Sequence, residues 1–285
     1  MDFINFCHAH GILITHPPSV GVWKRYPTTD HPKSRNGAVK FMGDHAFVQN
    51  HAIDTDVSVW KSDSSASVDM NRYLKLARDA DQKRIEMQKL AMNNAAGILK
   101  DCRFARHPYL KSKGFQDEEG NVFIKDGSLL LAIPMRVHGA LVGLQIIDED
   151  GKKKFLFGQR TSGAQFCFDN KGSHILCEGY ATALSIRQAL KSVKKRYTLH
   201  VCFSAGNMKK VAESLRPDSG IVIADNDESK TGERVAQEIG WPYWMSDQVG
   251  EDANDYHQRV GLFKFAMVVN GLLNRLTMLD RGDDE

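Results

Sequence analysis

Three acidic spots stand where short apolar runs end, and their order constrains this chain more than any other feature. Glu178 follows His174-Ile175-Leu176-Cys177 and precedes Gly179. Asp225-Asn226-Asp227-Glu228 follows Gly220-Ile221-Val222-Ile223-Ala224, and Glu251-Asp252-Ala253-Asn254-Asp255 follows a third apolar stretch, Trp241 to Met245. One carboxylate after a strand means little. Three in series, spaced as in an alternating strand–helix unit, place carboxylates at the carboxyl edge of one sheet, where open parallel sheets bind ligands. Carboxylates gathered there repel one another unless a cation holds them, so the pattern points to a divalent-metal site.

The segment around these spots reads as strand 174–178, helix 180–192, strand 198–203, helix 207–215, strand 220–224, helix 229–239 and strand 242–245. Such alternation predicts an α/β parallel sheet with helices on both faces. A closing helix runs from Leu262 to Leu279, before a polar tail that is expected to fray.

Upstream, residues 1–61 read as a small β module. A short helix spans Phe3 to His10, and Asn36-Gly37 is a hairpin signal leading into Ala38-Val39-Lys40-Phe41 and Ala46-Phe47-Val48-Gln49. Residues 62–106 hold a Ser- and Asp-rich linker and a helix from about Met70 to Ala96, free of Gly and Pro, which reads as a spacer between modules. Gly97 either ends that helix or is tolerated for one more turn. Residues 107–172 form a mixed α+β region. One or two helical turns begin at His107-Pro108, and strands follow at 129–133, 141–147, 154–157 and 165–168. Residues 173–260 carry the acidic spots, and 261–285 the last helix and acidic tail.

Composition is that of an ordinary globular protein, 42% hydrophobic and 26% charged, and a formal net charge of +3 is too small to announce a nucleic-acid partner. Five cysteines stand apart, with no Cys-x-x-Cys pair. Cys167, Cys177 and Cys202 lie in apolar runs and read as buried, reduced thiols of a cytoplasmic protein. No signal peptide and no membrane role are expected, since no apolar stretch is long enough to span a bilayer.

Simpler roles exist for some of the acids: Asp227 and Asp252 could each cap the helix that follows. Glu178, ending an apolar strand at a Gly turn, has no obvious structural purpose. Taken together the five carboxylates Glu178, Asp225, Asp227, Asp252 and Asp255 form the candidate metal site. Magnesium, with manganese as the alternative, suits oxygen ligands shared with substrate phosphates. Five carboxylates leave room for two ions, the arrangement that aligns an in-line phosphoryl displacement.

Glu178-Gly179, Asp225-x-Asp227 and Asp252-x-x-Asp255 resemble the motifs of a toprim domain. Their flanks, Ile175-Leu176-Cys177-Glu178-Gly179-Tyr180-Ala181-Thr182-Ala183 and Phe203-Ser204-Ala205-Gly206-Asn207, are similar to phage and plasmid primases of the DnaG type. The stretch from Ile133-Pro134-Met135-Arg136 to Gln145, together with Phe155 to Arg160, looks like the basic segment that precedes the toprim domain in bacterial primases. Trp23 to Thr28 and Arg35 to Ala38 look like the N-terminal module of phage primase-like proteins.

The resemblance implies template-directed synthesis of RNA primers on single-stranded DNA from NTPs. Glu178, Asp225 and Asp227 would be the catalytic acids, with Glu178 as general base or outer ligand and the aspartates holding metal. It further implies that Arg136, Arg160, Lys111 and Lys113 contact template or nucleotide phosphates. In the first module Lys33 and Arg35 are expected to touch nucleic acid, while Trp23 and Phe41 read as the core of the small sheet. Lys152 to Lys154 follow Asp150-Gly151 and read as a solvated turn.

Primases of this kind commonly begin with a zinc ribbon. The candidate ligands here, Cys7, His8, His10, His16, His31, His45 and His51, fit no standard zinc spacing, so zinc is not expected. No Gly-x-x-x-x-Gly-Lys-[Ser/Thr] sequence occurs, so a replicative helicase is expected as a separate partner. The expected location is the cytoplasm, that of the host if the gene is phage-borne. Two other readings stay open, a toprim-type metal-dependent nuclease and a non-catalytic replication-associated DNA-binding protein. One departure stands out: similar phage primases often carry Lys before Asp-Ala-Asn, where this chain has Glu251.

Overall fold

A computed structural model describes residues 1–51, 53, 57–62, 70–215 and 220–282, in two units, Met1–Glu86 and Met87–Glu285. In the first unit, Asp2 caps helix α1 (Phe3–Ala9) by accepting the Asn5 N–H at 2.9 Å. Four strands follow, β1 (Trp23–Tyr26), β2 (Gly37–Phe41), β3 (His45–Asn50) and β4 (Ser58–Lys61), paired antiparallel in chain order. Alternate residues Val39, Ala46, Val48 and Trp60 turn to one side and pack against Phe3, Cys7, Ile12 and Ile14.

Two expectations change here. Asn36-Gly37 is not a two-residue hairpin turn: Gly37 is the first residue of β2, where a Cβ would meet Ile12 at 3.0 Å. The tight turn lies one connection later, at Gly43 with φ +95°. Phe41 does pack against the core, but Trp23 does not; it is 47% exposed on the opposite face.

Helix α2 (Met70–Asp101) begins in the first unit and ends in the second, running through Gly97 without a break. In the second unit it is followed by β5 (Arg103–Arg106), α3 (Pro108–Ser112), β6 (Glu119–Lys125), β7 (Ser128–Val137), β8 (Ala140–Ile147) and β9 (Lys153–Phe155). These five strands form an antiparallel sheet in chain order. Its Ala132 and Leu144 pack against Ala95 of α2, and its Val122, Leu131, Ile133 and Ile147 join the main core. Strands β5 and β6 are not foreseen in the sequence, since each carries charge at both ends and shows only a weak apolar alternation.

The second sheet comprises β10 (Phe166–Asp169), β11 (Ser173–Cys177), α4 (Tyr180–Ser192), β12 (Tyr197–Val201), α5 (Ala205–Ser214), β13 (Gly220–Ile223), α6 (Thr231–Ile239) and β14 (Tyr243–Trp244), followed by α7 (Ala253–Val260) and α8 (Leu262–Gly282). Strand order is β10-β12-β11-β13-β14, all parallel except the antiparallel edge β10. Ile175, Cys177, Leu199, Val201, Ile221 and Ile223 face Leu184 of α4 and Phe265, Val269 and Leu273 of α8. Leu176, Val222 and Ala224 face Met208 and Val211 of α5 and Val235 and Ala236 of α6. Helices therefore cover both faces, as the alternation predicts. Cys177 and Cys202 are buried, but Cys167 is exposed on β10, because an edge strand leaves one of its faces uncovered. No helix among the described residues is long and apolar enough to cross a membrane.

Candidate metal centre

Strands β11 and β13 lie side by side with Cys177 in register with Ile223. Glu178, one residue past β11, and Asp225, two past β13, therefore emerge at the same edge. The loop after β12 completes this edge: the Phe203 N–H donates to the Glu178 carbonyl at 2.8 Å. Phe203 holds this position with φ +68°, rare for a bulky side chain, and its ring sits edge-on to Phe155 of β9 with centroids 6.2 Å apart.

Burial, and then the charge of Asp225, push the Glu178 carboxyl up to about 8, against a backbone hydrogen bond from Ala205 that pulls it down. Burial, and then the charge of Asp252, raise Asp225 to about 6. Asp225 Oδ1 is buried without a hydrogen-bond partner among the described residues. Gly232 in the first turn of α6 lies against the Asp225 backbone, where a Cβ would come within 2.5 Å of the Asp225 carbonyl oxygen. The strand end is thus clamped by a contact only glycine permits.

Asp227 sits in the exposed loop beyond. Its Oδ1 accepts from Ser229 Oγ at 2.8 Å and from the Thr231 N–H at 3.2 Å, shaping the entry to α6. Asp252 caps α7: its Oδ1 accepts the Asn254 and Asp255 N–H groups at 2.8 and 2.9 Å, and Asp255 returns a bond to the Asp252 N–H. The capping role foreseen for Asp252 is present and occupies only one carboxylate oxygen, whereas the N-cap of α6 is Lys230, and Asp227 reaches that helix only through the Thr231 N–H. Asp255 Oδ1 also lies 3.4 Å from Lys113 Nζ. Asn254, fully buried, fixes this loop by donating to the Lys113 carbonyl and to Ser185 Oγ, each at 3.0 Å. Glu251 points to Arg259 and Ser246, and the Arg259 bond leads the causes that hold its carboxyl below the usual range.

Among the predicted basic residues, Lys113 is the one brought onto an acidic side chain. Lys111 and Arg136 are exposed, and Arg136 Nη1 donates to the Gly139 carbonyl at 3.0 Å. Arg160 donates to the Ser162 carbonyl at 3.0 Å and lines a cleft with His138 and Lys210. Lys33 and Arg35 are exposed in the first unit.

Lys153 is exposed, as expected, yet its charge reaches the acidic edge: it is among the lesser influences on Glu178 and Asp225, lowering each carboxyl. Strand period explains the difference: Lys153 is in register with Ile147, whose side chain enters the main core, whereas Lys152 and Lys154 line a pocket beside Ile98 of α2. Asn207 has a structural role that its motif alone does not reveal. Its carboxamide accepts the Gly163 N–H and donates to the Ala164 and Cys202 carbonyls, at 2.7, 2.7 and 2.8 Å, tying the loop before β10 to α5.

The donor set suits a hard divalent cation: oxygens only, one of them buried and unpartnered, on carboxyls that disfavour ionisation beside one another. Among the described residues no three His, Cys, Asp or Glu side chains close around a common point. A cation held here would use one or two carboxylates and complete its shell with water and substrate oxygens, the usual magnesium arrangement. Three of the side chains considered for zinc have other surroundings in the first unit. Burial pushes the Cys7 thiol up to about 12, and the His8 and His10 rings bond the Ile14 and Phe6 carbonyls at 2.8 and 2.9 Å.

Residues 173–262 match the family described as Toprim domain. A protein of Escherichia coli named DNA primase TraC is 26% identical over 199 residues, covering 63% of this chain and 13% of that relative. A second Escherichia coli protein of the same name is 32% identical over 133 residues, covering 42% of this chain and 12% of the relative. The chain thus spans a small fraction of the length of the curated relatives it matches.

Proposed function

Because residues 173–262 form a toprim domain, we propose that this chain is a DNA primase that joins ribonucleotides on a single-stranded DNA template. The observation that carries the reading is the adjacency of Glu178 and Asp225 at one sheet edge, both disfavouring ionisation. The relatives named DNA primase support it.

Bound magnesium or manganese would supply the Lewis acidity that steadies charge on the reacting phosphate. Glu178, Asp225, Asp227, Asp252 and Asp255 are the residues from which its one or two carboxylate ligands would be drawn. Glu178, with its raised pKa, is matched to receive the proton of a nucleotide 3′-hydroxyl as that oxygen attacks the α-phosphate and pyrophosphate departs. Lys153 offers its ammonium to the phosphates at the same edge, and Arg136, Arg160 and Lys111 offer further cations to template or nucleotide. Lys113 holds Asp255 in place and orients the third acidic spot. NTPs and single-stranded DNA are the substrates, a separate replicative helicase is the expected partner, and the cytoplasm is the expected location.

The test is a priming assay on a randomised single-stranded template library, with magnesium and either NTPs or dNTPs. Oligonucleotides from the wild type, lost in Asp225→Asn, are expected. A wild type that makes none on any template, with helicase supplied, sinks the proposal. Strand cleavage without nucleotide incorporation would point to a nuclease instead.

A further inference from the structure

The four strands of the first unit carry Lys24, Arg25, Lys40 and Lys61 and not one Asp or Glu. Cross-strand register puts Trp23, Lys40, Phe47 and Val59 in one row, directly opposite each other across all four strands. Paired residues share a face. That face also takes Arg25 and Lys61 and lies opposite the one that packs on α1. Trp23 and Val59 are each 47% exposed, and Phe47 is half-buried. The Trp23 and Phe47 rings have centroids 6.5 Å apart, and the His45 ring stands edge-on to Phe47 at 5.5 Å.

The face is an open one on which Lys40 lies between the two rings, with Arg25 and Lys61 towards its two edge strands. We propose that this face binds single-stranded DNA, with bases stacking on Trp23 and Phe47 and the backbone following Arg25, Lys40 and Lys61. Stacking needs unpaired bases, because a duplex hides their faces, and it tolerates any sequence because every base has a π-face. Charge complementarity supplies the rest: a phosphate backbone meets cations along the row and no carboxylate from the strands. The site would hold template in a unit distinct from the one that carries the acidic edge. This inference rests on the reading that the chain works on single-stranded DNA.

The experiment uses the full chain and oligo(dT), some of it carrying 5-iododeoxyuridine for photo-cross-linking. Cross-links at Trp23 or Phe47 are expected, with binding by Trp23→Ala/Phe47→Ala about tenfold weaker by fluorescence anisotropy. Lys40→Gln/Lys61→Gln, which leaves the rings in place, is expected to flatten the salt dependence by ~0.7 per lost phosphate contact. Both variants are checked for wild-type circular dichroism. Wild-type affinity in both, with cross-links confined to residues 87–285, overturns this proposal and leaves the functional reading standing. A wild type that binds no single-stranded DNA overturns both.

Discussion

Arg259 grips Glu251 through two nitrogens: Nε and Nη2 each lie 2.7 Å from a Glu251 carboxylate oxygen. Nη2 also lies 3.0 Å from Asp247. The acidic residue that stands where similar phage primases often carry lysine is therefore matched by a cation on the same helix as the third acidic spot. Glu251 brings little unbalanced negative charge to Asp252.

Removing that match should be felt at the nucleotide. Arg259→Ala is expected to raise KM for NTPs severalfold by leaving Glu251 uncompensated, and Glu251→Gln in the same chain should restore it. Steady-state priming kinetics of the two variants check this. Equal KM in wild type and Arg259→Ala would mean that the pair plays no part in substrate binding.

Asp225 is held against its preference to stay neutral. Burial lifts its folded pKa to about 6 from the ordinary 3.8, so the folded state binds more protons between those values. The contribution is fully present below 3.8 and is lost as pH rises through 6. At pH 7.5 in chelator, Asp225→Asn should be more stable than wild type, by on the order of 2 kcal/mol. Magnesium should raise the wild-type Tm and leave the variant's nearly unchanged. Thermal melts with and without the metal read both effects.

Lys153 is exposed and packs little, so its loss should spare the fold. Lys153→Ala is expected to lower priming by about tenfold, in line with the loss of one phosphate-directed charge, with Tm nearly constant. An equal loss in Lys154→Ala, on the other side of β9, would contradict the strand-period argument.

His200 is buried between His174 and Gln165, and burial pushes its pKa down to about 4 from 6.5. The unfolded chain takes up this proton first, so its stabilising effect is whole above 6.5 and is lost as pH falls towards 4. The stability difference between wild type and His200→Gln should shrink by about 3 kcal/mol across that interval. Urea titrations at matched pH values measure it.

Asn254 has no exposure and bridges α7 to Ser185 of α4 and to the Lys113 carbonyl. Asn254→Ala leaves buried partners unsatisfied and is expected to cost about 2 kcal/mol in urea unfolding.

The second sheet was legible in the sequence because its strands are continuous apolar runs ended by Gly or by the acids themselves. Helix α4 spans the residues expected of it, 180–192. The capping geometry of Asp252 was foreseen from local spacing. What escaped depends on pairing between distant segments. Strand β5 is Arg-Phe-Ala-Arg, and only its partner β6 makes it a strand. Trp23 looked like core because it is large and apolar, but cross-strand register sends it outward. Lys153 was hidden among three lysines until the register of β9 against β8 set its side.

Asn207 and β10 also bear on how the chain can be cut. The family match begins at residue 173, yet the edge strand β10 and the Gly163 and Ala164 partners of Asn207 lie before it. A fragment trimmed to the match would open the hydrogen-bonding edge of β12 and strand a buried carboxamide, inviting strand-to-strand aggregation. A workable excision would start ahead of Gly163, so the portable cassette is longer than the family boundary.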